Sequence, residues 1–346
     1  MATRIVGVDI GETALRGVEV ENTPKARPTV LRYHEVPIPA GAVRSGEVME
    51  VHTVATALKQ LWTDGNFKSK DVVLGIGNQK VLARDLTVAR QPIARIREAL
   101  PFQVQELIPV PVEDALLDFY PIAEVEGEHG PAVAGLLIAA VKAAVEVNVR
   151  AVQEAGLAPV DVDLIPFALQ RALGSSTGTT ALIDVGAATT NVLLVTAGVP
   201  QFVRIIPNGG DDLTRALVSR LDIERPEAEQ FKFGLGMVPS TSAPEHQPVV
   251  ALIYEITSEL LNSLRNTLNY FGNTRPNGTI DRIVLSGGGS HLPGFAQVLG
   301  EATGVPVEYG DPFGKVSVAS GGHSAAMNGR QHSMTVALGL AMRGAA

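Results

Sequence analysis

Cysteine is absent from all 346 residues, so the chain holds no disulfide, no thiolate-bound metal and no cysteine nucleophile. Long apolar runs are missing too. The most apolar stretch, residues 133–141, stops at Lys142, well short of the ~20 residues that a membrane span requires. No run of Lys or Arg occurs, and the formal net charge of −8 is spread along the sequence. Binding nucleic acid without sequence preference needs a concentrated basic face, which argues against such a partner. The seven histidines show no paired ligand spacing and read as surface or loop residues. The N-terminus, with Arg4 and Asp9 close to its start, has no apolar region long enough for a secretory signal. These absences predict a cytoplasmic protein with no direct membrane insertion, which reaches a membrane only through a partner.

What is present is the composition of a folded globular protein, 45% hydrophobic and 18% charged. The length suits two domains, or four small subdomains each with its own core. Residues 4–8 and 15–20 predict strands joined by a turn at Asp9-Ile10-Gly11-Glu12-Thr13. Val54, Leu58 and Leu61 recur at helical spacing, and 72–76 predicts a buried strand ended by Gly77. Residues 81–142 read as an inserted unit. Ile93, Ile96, Leu100, Val104 and Leu107 have helical spacing there, with a kink expected at Pro101. Strands are predicted at 115–120 and 135–140. Val145, Val149 and Val152 fit a helix closed by Gly156, whereas the alternation of Val145, Val147 and Val149 fits a strand equally. After a polar loop at 175–178 the pattern restarts, with strands at 181–185 and 191–195 around a turn at 186–190. Pro226 opens a helix through Phe233. Leu260, Leu264, Leu268 and Phe271 share one face of a long helix, a strand at 283–285 runs into three glycines, and 336–342 predicts an apolar helix.

The restart amounts to an internal repeat. Each half opens with a hairpin whose first strand ends in Asp-x-Gly followed by small hydroxylated residues: Asp9, Gly11 and Thr13, then Asp184, Gly186, Thr189 and Thr190. Glycine lets such a turn expose its N–H groups, which with nearby hydroxyls can cradle phosphate oxygens. An aspartate just before the turn can hold Mg²⁺ through its waters. One copy is as readily an ordinary hairpin; two copies at equivalent places carry more. Leu285-Ser286-Gly287-Gly288-Gly289-Ser290 permits close approach of a flat base or a phosphate. Glu229 and Lys232, three apart on one helical face, suit ribose hydroxyls and adenine, or else form a plain surface ion pair.

This order of motifs resembles the actin, heat-shock chaperone and sugar kinase superfamily. Within it the chain is most similar to the PilM family of type IV pilus assembly, with FtsA and MreB nearer than the kinases. The stretches ELIPVPVEDALLDFY, EAGLAPVDVDLIPFALQRAL, IDVGAATTNVLLV, IPNGGDDL and LSGGGSHLPGF carry the resemblance, together with the first hairpin. It implies an α/β, actin-like fold, with ribonuclease H-like duplicated domains around a nucleotide cleft and an FtsA-type 1C subdomain. The implied subdomains are 1A at 1–80 and 143–175, 1C at 81–142, 2A at 176–206 and 284–346, and 2B at 207–283.

The resemblance also implies ATP and Mg²⁺ as cofactors, with Asp9 and Asp184 near the metal. Gly11, Glu12, Thr13, Arg16, Gly186, Thr189 and Thr190 would line the phosphates. Glu229 and Lys232 would face the ribose, and Gly209 and Gly210 the far edge of the cleft. Gly287, Gly288, Gly289 and Ser290 would lie against the α-phosphate and adenosine. Arg16 stands where many family members have lysine, which keeps the charge and alters the reach. The implied partner is PilN, an inner-membrane pilus protein whose cytoplasmic N-terminal peptide would enter a groove formed partly by 1C. Phe102, Leu107 and Ile108 are the candidate contacts. Such a partner would hold the chain at the inner face of the cytoplasmic membrane, and contacts with other pilus platform or motor proteins and self-association belong to the same expectation.

One departure bears on catalysis. MreB-type sequences carry Glu directly before the proline that is Pro166 here, and this chain has Ile165, which can neither hold a water nor accept a proton. Asp9, Asp184 and Gln170 remain the catalytic candidates, with Asp163 nearby, and ATP binding is favoured over hydrolysis. A filament-forming protein like FtsA or MreB is a second reading, against which counts the ending Arg343-Gly344-Ala345-Ala346 without an amphipathic tail. A small-molecule kinase is a third, and it lacks a clear catalytic base.

Overall fold

The computed structural model describes residues 3–22, 27–128, 130–237, 244–275, 278–319 and 331–345. Strands β1 (Thr3–Ile10), β2 (Ala14–Asn22) and β3 (Thr29–Pro37) form an antiparallel meander. A small hairpin of β4 (Val43–Arg44) and β5 (Glu47–Val48) leads into α1 (Val51–Asp64), and β6 (Asp71–Ile76) returns parallel to β1. After an inserted unit, α3 (Lys142–Glu154) leads into β10 (Ala158–Leu164), parallel to β6. The α3 segment is helical because Val145, Ala151 and Val152 turn to one buried face, and the alternative reading of its valines as a strand is thereby settled.

Helix α4 (Ile165–Leu173) crosses to the second half, which repeats the design. There β11 (Thr179–Val185), β12 (Thr190–Thr196) and β13 (Val199–Ile206) form an antiparallel meander. Helices α5 (Gly210–Leu221), α6 (Arg225–Leu235) and α7 (Gln247–Thr274) follow. Then β14 (Arg282–Ser286) joins parallel to β11, and β15 (Val307–Tyr309), after α8 (Phe295–Thr303), joins parallel to β14. The first sheet runs β10-β6-β1-β2-β3-β16 and the second β13-β12-β11-β14-β15. Three antiparallel strands followed by two parallel ones, in the same order, occur in both. The internal repeat is therefore a repeat of topology.

The inserted unit is a three-stranded antiparallel sheet in the order β7-β9-β8, built from β7 (Val81–Ala89), β8 (Ala115–Gly127) and β9 (Gly130–Val141). Helix α2 (Ile93–Gln103) covers one face, burying Ile96 and Leu100 against Phe119, Leu137 and Ala139. Pro101 falls in the last turn of α2, where the helix is about to end.

Past β15 the chain returns to the first half. Strand β16 (Ser317–Val318) pairs with β3, and α9 (Thr335–Ala341) is buried at every position. Met334, Ala337 and Leu338 cover Val18, Val20 and Val30 on the first sheet. The apolar face of β2 and β3 needs a cover, and α9 supplies it from the other end of the sequence. Helix α9 sits so close that a Cβ on Gly7 would fall 2.0 Å from the Ala337 carbonyl oxygen, and one on Gly339 2.0 Å from that of Ala168. A further cluster joins the halves, packing Val73, Leu164 and Leu169 against Leu182, Leu193 and Val284.

Candidate functional site

The two Asp-x-Gly turns close with the same hydrogen bond. Gly11 N–H donates to the Ala14 carbonyl at 3.1 Å, and Gly186 N–H donates to the Thr189 carbonyl at 2.9 Å. They face each other across a cleft of 390 Å³. Asp9 and Asp184, ending β1 and β11, both line it. Burial pushes Asp184 up to about 6, helped by the Asp9 charge and opposed by a 2.8 Å hydrogen bond from Ser286 Oγ and by the charge of Arg16. Asp9 is also raised by burial, against the pull of Arg16. Arg16 Nε donates to Glu35 at 2.6 Å and Nη1 to Asp9 at 3.4 Å, so this side chain is already engaged by carboxylates at the rim. Among the described residues no group of three or more His, Cys, Asp or Glu is placed to cage a metal. A pair of carboxylates is the donor set that suits Mg²⁺, which keeps most of its waters.

The start of α5 is fixed onto the second turn. Gly210 N–H donates to the Gly186 carbonyl at 2.9 Å and Asp211 N–H to that of Ala187 at 2.8 Å. Gly209 lies behind: its N–H is taken by Asp212 Oδ2 at 2.7 Å, and a Cβ there would fall 2.5 Å from the Ala187 carbonyl oxygen. Thr190 Oγ1 donates to the Asn208 carbonyl at 2.8 Å and Ser290 Oγ to that of Gly287 at 2.7 Å, both hydroxyls being buried. Thr190, Gly209 and Ser290 thus brace the loops from beneath. Gly11, Glu12, Thr13, Gly186, Thr189 and Gly210 do line the cleft.

The glycine triplet forms the floor. Gly287 has φ +83°, and a Cβ there would meet the Val185 carbonyl oxygen at 2.4 Å and Asp184 Oδ1 at 2.9 Å. Gly289 is pressed against Val185, while Gly288 has nothing within 4 Å of a Cβ and opens to the cleft. From α6, Glu229 and Lys232 face the same space. Lys232 is only 5% exposed. Its Nζ donates to Thr214 Oγ1 at 3.0 Å and to Glu229 at 3.4 Å, and burial lowers its pKa against the opposing charge of Glu229. A surface ion pair would not be buried in this way.

Several lining residues escaped the sequence reading. Arg225, one turn before Glu229, pairs with Asp211, which also accepts from Arg215 Nη1 at 3.1 Å. The same Arg215 nitrogen donates to Glu12 Oε1 at 3.1 Å, a link across the cleft between the halves. Gly75, Gly77, Asn191, Phe233 and Ser333 are further parts of the walls. Asn191 directly follows Thr190, and its place after the second turn was the available signal. Ile165 lines the cleft. Gln170 does not reach it: its Nε2 donates to the Gly198 carbonyl at 2.6 Å. Asp163 is held by Arg171 and Arg343. Phe102, Leu107 and Ile108 lie on the inserted unit. Phe102 is 82% exposed and Leu107 half-buried, whereas Ile108 is buried in that unit's core.

The profile of the family described as type IV pilus assembly protein PilM matches residues 7–345. The chain belongs to this family. A solved PilM–PilN type IV pilus biogenesis complex superposes with a TM-score of 0.86 at 29% identity, over 99% of this chain and 99% of that one. Cell division protein FtsA of Bacillus subtilis (strain 168) is 24% identical over 250 residues, 64% of this chain and 54% of that protein. The chain thus spans about half the length of this curated relative. MreB5 of Spiroplasma citri, solved bound to AMPPNP, superposes with a TM-score of 0.56 at 12% identity, over 97% of this chain and 94% of that one, and shares the fold. The PilM-family fold is actin-like, as the two matching sheets require.

Proposed function

We propose that this PilM-family chain is an ATP-binding adaptor of a type IV pilus assembly platform, and that it captures the cytoplasmic N-terminal peptide of a PilN-like inner-membrane protein. The observation that carries the reading is the likeness to the PilM–PilN complex over the full length of both chains. The residues of the cleft fit ATP with Mg²⁺. Asp9 and Asp184 are carboxylates whose charge burial disfavours, and a cation would relieve both. The turns at Gly11–Thr13 and Gly186–Thr189 would take the phosphates, Glu229 and Lys232 the ribose, and open Gly288 the nucleoside side. Magnesium would supply charge neutralisation to the phosphates. With Ile165 at the cleft and Gln170 and Asp163 committed elsewhere, binding is favoured over rapid turnover.

On the inserted unit, 81–142, the exposure of Phe102 and of Leu116 (82% and 44%) supports a docking role for an apolar peptide. No described helix is long and apolar enough to cross a membrane, and attachment would run through the PilN-like partner. Two measurements on the full chain test the reading. ATP with Mg²⁺ should raise the melting temperature, a ligand at a hundredfold excess over Kd stabilising by about 2.7 kcal/mol. A synthetic peptide copying the cytoplasmic N-terminus of a PilN-like protein should bind in calorimetry, more weakly to Phe102→Ala. An unchanged melting temperature would remove the nucleotide assignment, and a peptide that gives no heat would remove the adaptor assignment.

A further inference from the structure

A phosphate site needs donors and positive charge, and this cleft has an excess of the opposite sign. Among the described residues that line it, five carboxylates stand against three cationic side chains. Four of the five have evident partners or work. Asp9 and Asp184 form the pair suited to Mg²⁺, Glu229 pairs with Lys232, and Asp211 pairs with Arg225. The fifth, Glu12, belongs to the phosphate turn itself. The repeat sets it apart: Asp9-Ile10-Gly11-Glu12 corresponds to Asp184-Val185-Gly186-Ala187, so the second turn carries a methyl where the first carries a charge. Glu12 does not join the two aspartates, since among the described residues no three acidic or histidine side chains gather in a metal-sized group. Its carboxylate is held elsewhere. Ser45 N–H, in the turn between β4 and β5, donates to Oε2 at 2.8 Å, and Arg215 Nη1 donates to Oε1 at 3.1 Å. The Glu12 side chain is left only 14% exposed. Arg215 does not cancel its charge. That guanidinium is 51% exposed, where water screens it, and it is shared with Asp211 and Asp212.

We propose that Glu12 is a specificity-determining residue of the cleft: it disfavours a third phosphate, so that a nucleoside diphosphate binds more tightly than the triphosphate. This deepens the nucleotide reading of the cleft and rests on it. Each phosphate added to the ligand brings further negative charge, and its repulsion by a fixed, part-buried carboxylate grows accordingly. Arg215 opposes the effect by placing a cation beside the same carboxylate. ATP remains a ligand, and the discrimination is a ratio of two affinities.

Displacement of a fluorescent nucleotide by ADP and by ATP, each with saturating Mg²⁺, tests this on the full chain, on Glu12→Gln and on Arg215→Gln. Glutamine keeps an oxygen for Ser45 N–H and removes the charge. The unaltered chain should bind ADP about tenfold more tightly than ATP, a modest share of the repulsion between unit charges at cleft distances. Glu12→Gln should tighten ATP about tenfold while ADP moves less than about threefold, and Arg215→Gln should widen the gap. Raising KCl from about 0.05 to about 0.5 M should narrow the gap in the unaltered chain and leave Glu12→Gln unmoved. Tighter binding of ATP than of ADP by the unaltered chain would overturn the proposal, as would equal gains of both nucleotides in Glu12→Gln. Weaker ATP binding by Glu12→Gln would make Glu12 a contact of the cation and overturn it as well. If the fluorescent nucleotide binds none of the three proteins, all folded by circular dichroism, the nucleotide reading fails and takes this inference with it.

Discussion

A carboxylate with a pKa near 6 works against the fold that contains it. The ordinary value for aspartate is about 3.9, and Asp184 is raised to about 6, chiefly by burial. The folded chain thus binds this proton more tightly than the unfolded chain does. The contribution of Asp184 is favourable while it is protonated, and is lost as pH rises from about 4 to 6, leaving a penalty of about 3 kcal/mol at neutral pH. Asp184→Asn keeps an oxygen to accept from Ser286 Oγ and removes the charge. It should therefore be more stable than the unaltered chain at pH 8 without ligand, with the difference gone at pH 4, in urea unfolding at both values. A variant less stable at pH 8 would mean that a fixed cation-like partner already balances Asp184. Asp9 and Asp184 were legible in the sequence because the repeat shows the motif twice. Asn191 was marked only by its place after the second turn, and Arg225 was not marked at all, since an ion pair across a helix start arises only from packing.

Helix α9 holds its place by backbone contact. Gly7 and Gly339 let it lie against β1 and α4 with no side chain between, and a Cβ on Gly339 has no flexible neighbour to displace, only the Ala168 backbone. Gly339→Ala should lower stability by about 1–3 kcal/mol, the usual cost of overpacking. Gly288→Ala, whose Cβ meets nothing within 4 Å, should stay within about 0.5 kcal/mol of the unaltered chain. Denaturant midpoints of the two variants give the comparison, and equal losses would show that the close approach is not limiting. The apolar run at 336–342 was readable as a helix from its composition. Its destination was not readable: a short helix buried all round has no polar face to point away from a core, and its partner strands lie at the other end of the sequence. By contrast the β1–β2 and β11–β12 hairpins were legible nearly to their boundaries, because their apolar runs break at turns marked by glycine.

Both sheets share the cluster of Val73, Leu164 and Leu169 with Leu182, Leu193 and Val284, so neither half can lose its packing without exposing apolar side chains of the other. The single tryptophan, Trp62, packs on the core of the first half, with its Nε1 donating to the Ser69 carbonyl at 2.9 Å. Its fluorescence should therefore unfold at the same denaturant concentration as the circular dichroism of the whole chain, the mark of one cooperative transition. Separate midpoints would show that the halves unfold independently. The shared cluster is also where the whole molecule outran the sequence, because the repeat suggested two equal halves and gave no sign that α4 and α9 stitch them. That stitching sets an order of events on the ribosome. Val18, Val20 and Val30 emerge early, while their cover, Met334, Ala337 and Leu338, follows about 300 residues later. At 5–20 residues per second the uncovered face waits roughly 15 to 60 s. The second sheet, whose strands all lie between residues 179 and 309, can close first, and the half that is made first is the half that must be finished last.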